Sequence, residues 1–206
     1  MEDNVPVDVK DDVKVEIVTV QSIVGYNIGI PYYQRPYKWK MKHVLQLLDD
    51  IYLSMCERND SYRIGSVILH NDNDILHVVD GQQRLVTLCL ILHNISPHSY
   101  DTSKLKLLSS EFPNVVSKNN INFNYLGISV WLQKLSTDDR LAFAEYVLKN
   151  CEFVKIQIFK LNEAFQLFDS QNASTPSSLN CRKATRHNCA FYNAFVWTKL
   201  KMHEKI

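Results

Sequence analysis

Val78-Val79-Asp80-Gly81-Gln82-Gln83-Arg84-Leu85-Val86-Thr87-Leu88 contains a change of period. An apolar, β-branched run stops at a polar Asp-Gly-Gln-Gln-Arg cluster, and apolar residues then return at helical spacing. The stretch predicts a strand, a tight turn and a helix N-terminus. Such a junction presents unpaired backbone N–H groups and the positive end of a helix dipole, both favourable to an anion. Gly81 allows close approach of backbone to a ligand, and Arg84 adds a planar, permanently charged fork suited to phosphate oxygens. On this reading Asp80 holds a metal ion or a ribose hydroxyl, and the amides of Gln82 and Gln83 orient water or a base. The same residues also suit a capped turn with Arg84 in a surface salt bridge. Local chemistry leaves both readings open.

Working outward, Asn71-Asp72-Asn73-Asp74 has turn chemistry between strands expected at Tyr62–Leu69 and Ile75–Val79, so the cluster closes a hairpin. The helix that follows is expected over Leu85–Ile95. Before the hairpin, Val44, Leu47, Leu48, Ile51, Leu53 and Met55 give Met41–Cys56 an amphipathic helical pattern. Earlier still, Tyr32-Tyr33-Gln34-Arg35-Pro36-Tyr37-Lys38-Trp39 is dense in rings and cations. Pro31 and Pro36 exclude a regular helix there, which predicts an ordered loop. Val13–Val20 reads as a strand and Ser22–Asn27 as a short helical turn. Beyond Ser96, helices are expected at Ile128–Leu135, at Asp138–Lys149 with Ser136 or Thr137 as cap, and at Asn162–Ser170, with a strand at Val154–Phe159. The pattern is α+β with a sheet rich in antiparallel pairs.

Composition narrows the function classes. With 206 residues, 46% of them hydrophobic, the chain can bury a real core. Its net charge of +1 combines a net −4 through Ala173 with +5 from Ser174 onward, so bulk charge argues for no nucleic-acid partner and any basic surface is local. The five cysteines are scattered without a C-x-x-C pair, which implies neither a disulfide framework nor a zinc knuckle and suits a reducing compartment. The acidic start Met1-Glu2-Asp3-Asn4 lacks signal-peptide features, and apolar runs such as Leu85–Ile95 are too short to span a bilayer. A cytoplasmic protein without membrane partners is expected. Its histidines read as surface or packing residues, and Cys89, in an apolar helix, as core.

Four motifs in order, Ile30-Pro31-Tyr32-Tyr33-Gln34-Arg35-Pro36-Tyr37-Lys38-Trp39, Leu48-Asp49-Asp50-Ile51, Gly65-Ser66-Val67 and Val79-Asp80-Gly81-Gln82-Gln83-Arg84-Leu85, resemble the N-terminal domain of GmrSD-type restriction endonucleases. A weaker echo is Ala164-Phe165-Gln166-Leu167-Phe168-Asp169-Ser170-Gln171-Asn172. The resemblance implies a ParB/sulfiredoxin-like fold, a small mixed sheet with flanking helices followed by a mostly helical region. It divides the chain into a flexible N-terminus (1–14), a ParB-like nucleotide-binding core (15–96), a mainly helical continuation (97–173) and an atypical basic tail (174–206).

The implied function is binding and hydrolysis of a nucleoside triphosphate with Mg²⁺ in a bacterial phage-defence system that restricts modified DNA. Carried over by position, Asp80, Gln82, Gln83 and Arg84 form the catalytic set. Gly81, Arg84, Gln34 and Arg35 hold the nucleotide, and Asp80 holds the metal. Tyr37 and Trp39 read as packing anchors rather than stacking platforms. Where sulfiredoxin has its catalytic cysteine this chain has Gln82 and Gln83, which argues against peroxiredoxin repair. After Asn172 the family pattern ends, and no glycine follows Gly127. That pattern is expected of a truncated or frameshifted copy or a divergent tail. In the family a separate His-Asn-His nuclease domain or subunit cuts DNA, and His187 and His203 lack the partners to supply one. The competing class is a catalytically inactive remnant or split subunit that holds nucleotide or DNA without turnover.

Overall fold

The computed structural model describes residues 13–95, 105, 107, 112 and 114–160. The flexible N-terminus expected over 1–14 lies outside the described residues as far as position 12, but Val13 and Lys14 already belong to a strand because they pair with Ile158 and Gln157. The helix expected at Asn162–Ser170 and the basic tail lie outside the described residues.

Among the described residues ten elements follow in the order β1 (Val13–Thr19), α1 (Val20–Val24), β2 (Ile28–Gly29), α2 (Met41–Cys56), β3 (Tyr62–Asp72), β4 (Ile75–Asp80), α3 (Gln82–Ile95), α4 (Val115–Leu132), α5 (Thr137–Lys149) and β5 (Cys151–Ile158). The fold is α+β. The five strands form one sheet in the order β1-β5-β3-β4-β2. Two pairings are antiparallel (β1 with β5, β3 with β4) and two are parallel (β2 with β4, β3 with β5). The sheet is therefore mixed rather than rich in antiparallel pairs. Its long-range member is β5. That strand was expected within the helical continuation, and it inserts between β1 and β3, so the sheet is completed only by residues 151–158.

Local chemistry explains the hairpin. Asn73 and Asp74 have φ of 46° and 70°, the positive values that two-residue hairpin turns of the primed type require and that Asn and Asp tolerate best. The strands alternate as a sheet between two apolar layers must. Val67, Leu69, Val78 and Phe153 face the main core with α2, α3, α4 and α5, while Ile68, Val79 and Ile158 form a smaller cluster.

Helix α3 is the centre of the core. Leu85, Val86, Leu88, Cys89, Leu90, Ile91 and Leu92 are all buried, and a helix apolar all round belongs inside. Helix α5 begins at its Ser136 cap, whose hydroxyl accepts from Asp139 N–H at 3.1 Å. Helix α4 departs most from expectation, starting at Val115 instead of near Ile128. Between Asn119 and Gly127 it carries Asn119, Asn120, Asn122, Asn124 and Gly127, poor helix formers that blur the apolar period. Tertiary hydrogen bonds described below override that propensity. Among the described residues no helix is long and apolar enough to cross a membrane.

Burial also sorts the described thiols. Cys56 is exposed, whereas Cys89 and Cys151 are buried and their thiols are pushed up to about 12 by desolvation. In native protein treated with iodoacetamide near neutral pH, Cys56 is expected to alkylate readily. Cys89 and Cys151 should react only after denaturation. Peptide mass spectrometry reads the pattern, and rapid native labelling of Cys89 would contradict the packing of α3.

Candidate functional site

The Asp80–Arg84 cluster lies where the period switch placed it. Strand β4 ends at Asp80 and α3 begins at Gln82, with Gly81 between them at φ 93°. A Cβ at Gly81 would stand 3.1 Å from Val67 Cγ2 and 3.3 Å from the Ser66 carbonyl oxygen, so glycine is needed both for the φ and for the close crossing of β3.

The Pro31–Lys40 loop meets this turn. A cavity of about 380 Å³ is lined by Tyr33, Gln34, Arg35, Trp39 and Val79 together with Asp80, Gly81, Gln82, Gln83 and Arg84. That volume is within the range of small-molecule sites, about 300–1,000 Å³. Two motifs far apart in the sequence thus line one cavity, with both arginines on its wall.

The two arginines differ in setting. Arg35 is exposed. Arg84 is largely buried, and its Nη2 lies 3.7 Å from Asp80 Oδ2. Burial pulls its guanidinium below the usual value, and the Asp80 charge opposes that shift without cancelling it. The guanidinium lies directly over Gly65, where a Cβ would come within 2.0 Å of Nη1. Gly65 has φ 140° and follows a bulge, because Arg63 and Gly65 pair with the consecutive residues Glu152 and Phe153.

The three amides divide the work differently from the sequence expectation. Gln34 Nε2 donates to the carbonyls of Val78 and Val79, both at 2.8 Å. The pairing of β3 with β4 shifts register here, with Ile68 opposite Asp80 and Leu69 opposite Val78. Gln34 therefore braces the irregular end of the strand that delivers Asp80. Gln83 braces the loop: its Oε1 accepts from Lys38 N–H at 2.7 Å and Trp39 N–H at 3.0 Å, and its Nε2 donates to the Pro36 carbonyl at 3.2 Å. Its amide oxygen is fully engaged by protein, which removes it from the expected work of orienting water. Gln82 is the amide left for a ligand. It is only 5% exposed, lines the cavity, and its Oε1 has no hydrogen-bond partner among the described residues. A buried amide oxygen in that state carries a desolvation cost that a bound ligand or water would relieve.

Sequence reasoning missed the outer support of the loop. Tyr37 N–H donates to Ser117 Oγ at 2.9 Å and the Tyr37 carbonyl accepts from Asn120 Nδ2 at 3.0 Å. Asn124 Nδ2 donates to Tyr37 Oη at 3.0 Å and to the Trp39 carbonyl at 2.8 Å, and Thr87 Oγ1 lies 2.8 Å from Tyr37 Oη. Ser117, Asn120 and Asn124 recur at helical spacing on one face of α4. That polar stripe was the available signal, hidden because the segment did not read as a helix. Tyr37 is buried, as its reading as a packing anchor requires. Trp39 is half-buried and on the cavity wall.

Asp80 is the carboxylate among the cavity-lining residues, and no group of three or more His, Cys, Asp or Glu that could hold a metal occurs among the described residues. One carboxylate suits Mg²⁺ that arrives with phosphate oxygens, since Mg²⁺ typically takes one or two carboxylates beside its substrate phosphates and water.

Comparison with curated proteins gives no match. The family model described as GmrSD restriction endonuclease, N-terminal domain, matches residues 20–176, a span that contains both cavity motifs and every described element from α1 to β5. The match covers most of the chain, so this protein is a restriction-system component that belongs to the family of GmrSD restriction endonuclease N-terminal domains.

Proposed function

We propose that the chain binds and hydrolyses a nucleoside triphosphate as part of a cytoplasmic phage-defence system that restricts modified DNA, with a ParB/sulfiredoxin-like domain as the nucleotide site. The observation that carries the reading is the convergence of Arg84, Arg35, the N-terminus of α3 and the unpartnered Gln82 amide on one cavity that also holds Asp80. Cationic forks and a helix N-terminus together suit a polyphosphate. Arg84 binds phosphate oxygens and stabilises charge that develops on them. Asp80, with those oxygens, would hold Mg²⁺, which neutralises phosphate charge when bound. Gln82 orients water. DNA scission on this reading belongs to a separate His-Asn-His nuclease domain or subunit.

The binding-module reading keeps one observation in its favour. Gln34 and Gln83 are committed to the scaffold, so few groups remain to activate water. One experiment separates the two. Purified protein is incubated with Mg²⁺ and each of the four ribonucleoside triphosphates, with phosphate release and calorimetric binding both measured. Hydrolysis of at least one nucleotide is expected, reduced about 10²–10³-fold by Arg84→Ala, the usual loss when a preorganised charge-stabilising donor is removed. Binding without release favours the module, and absence of both overturns the nucleotide reading.

A further inference from the structure

The geometry points to Trp39 as the platform on which the nucleobase stacks, with Gln83 and Asn124 as positioning residues that hold it at the cavity wall. This rests on the nucleotide reading and adds the ring-binding half of the site.

Trp39 lines the same cavity as Arg35, Asp80 and Arg84. Both of its backbone polar groups are held by side chains from different helices. Its N–H donates to Gln83 Oε1 of α3 at 3.0 Å, and its carbonyl accepts from Asn124 Nδ2 of α4 at 2.8 Å. The neighbouring Lys38 N–H shares the Gln83 oxygen at 2.7 Å. The indole centroid lies 5.9 Å from the His43 ring, the planes tilted by 30°, and His43 Nδ1 is itself fixed by accepting Lys40 N–H at 3.1 Å. Trp39 is thus constrained from three sides while still reaching the cavity.

Such fixation matters for binding. A stacking partner already ordered in the free protein spares the ligand the entropic cost of immobilising it. An indole is apolar over its face and can accept any nucleobase, since every base has a π-face. Asn124 supports the same conclusion. Its Oδ1 is buried without a partner among the described residues, a cost to folding, while its Nδ2 serves Tyr37 and Trp39. Its contribution is to where the loop lies more than to how stable the domain is. Tyr32, in the same loop, is 99% exposed and does not line the cavity, which makes it the natural control.

The test compares nucleotide with inorganic tripolyphosphate, which has phosphates and no ring, by calorimetry on the full chain. Trp39→Leu is expected to lower nucleotide affinity about ten- to a hundredfold, the usual worth of a base–aromatic stack, and to leave tripolyphosphate affinity unchanged. Trp39→Phe should recover most of the loss, and Tyr32→Leu should bind nucleotide as wild type does. Asn124→Ala should lower nucleotide affinity in the same direction. In 5-fluorotryptophan-labelled protein without nucleotide, it should also shift the Trp39 fluorine resonance while leaving that of Trp131 in place. Equal nucleotide affinity in wild type and Trp39→Leu overturns the platform and leaves the nucleotide reading standing. Parallel loss of nucleotide and tripolyphosphate affinity also overturns it, because Trp39 would then only shape the cavity. Wild-type protein that binds tripolyphosphate but no nucleotide removes both.

Discussion

Gly65→Ala is expected to reduce nucleotide hydrolysis as severely as Arg84→Ala, by about 10²–10³-fold, although residue 65 contributes no side chain to the cavity. The Cβ of alanine would stand 2.0 Å from Arg84 Nη1 and 3.3 Å from Cζ, so the guanidinium cannot keep its seat. The end of a long side chain moves more readily than a strand, and the displaced group is the one proposed to meet phosphate. Residue 65 also sits at φ 140°, where an L side chain is strained, so some stability is lost as well. Two measurements separate these effects. Thermal melting reports the strain, and a double variant reports the seat: Gly65→Ala with Arg84→Ala should hydrolyse nucleotide no more slowly than Arg84→Ala alone. Groups acting as one unit are non-additive in this way. Full activity in Gly65→Ala would show that Arg84 works from another position, or not at all.

Gly65 also marks the limit of what the sequence discloses. The strand-to-helix junction at Asp80–Arg84 was legible because period, turn chemistry and helix onset are local properties. The amphipathic pattern of Met41–Cys56 was legible for the same reason, and α2 has those bounds. Gly65 belonged to a quoted motif, but its role depends on a bulge in β3 meeting a side chain from α3, a contact between distant parts of the chain. The position of β5 within the sheet is likewise set by long-range pairing that no periodicity encodes.

The glutamines carry the same lesson in their chemistry. Gln34, Gln82 and Gln83 have identical side chains, and sequence suggested a ligand-facing role for each. All three line the cavity, and only hydrogen-bond partners distinguish the two that brace backbone from the one whose amide oxygen has no partner among the described residues. Helix α4 fails in the opposite direction. Two of the asparagines that made it look unlike a helix, Asn120 and Asn124, are residues whose amides secure the Tyr37–Trp39 loop.

Tyr37→Ala is expected to cost about 3–5 kcal/mol of folding stability, the usual loss when a large buried aromatic is truncated. The ring is fully buried, and the backbone at the same residue is tied to Ser117 and Asn120 of α4, so the cavity left behind has little freedom to collapse. Tyr37→Phe separates ring from hydroxyl. Thr87 Oγ1 also donates to the Gln83 carbonyl at 2.8 Å, and Asn124 Nδ2 retains the Trp39 carbonyl, so neither polar partner is stranded by the change. A loss of about 0.5–1.5 kcal/mol is expected, in line with one net hydrogen bond. Alkaline titration supplies an independent signature. Burial raises the Tyr37 phenol above its usual value of 10.0, with the Thr87 and Asn124 hydrogen bonds opposing the shift. The folded state therefore holds this proton more tightly than the unfolded chain. Its contribution is fully present below about pH 10 and is lost as pH rises further, through the folded value. Urea denaturation of wild type and Tyr37→Phe from neutral pH to above 10 should show their stabilities converging at the alkaline end. A Tyr37→Ala protein as stable as wild type would remove Tyr37 from the core and with it the anchor that fixes the loop over the Asp80–Arg84 turn.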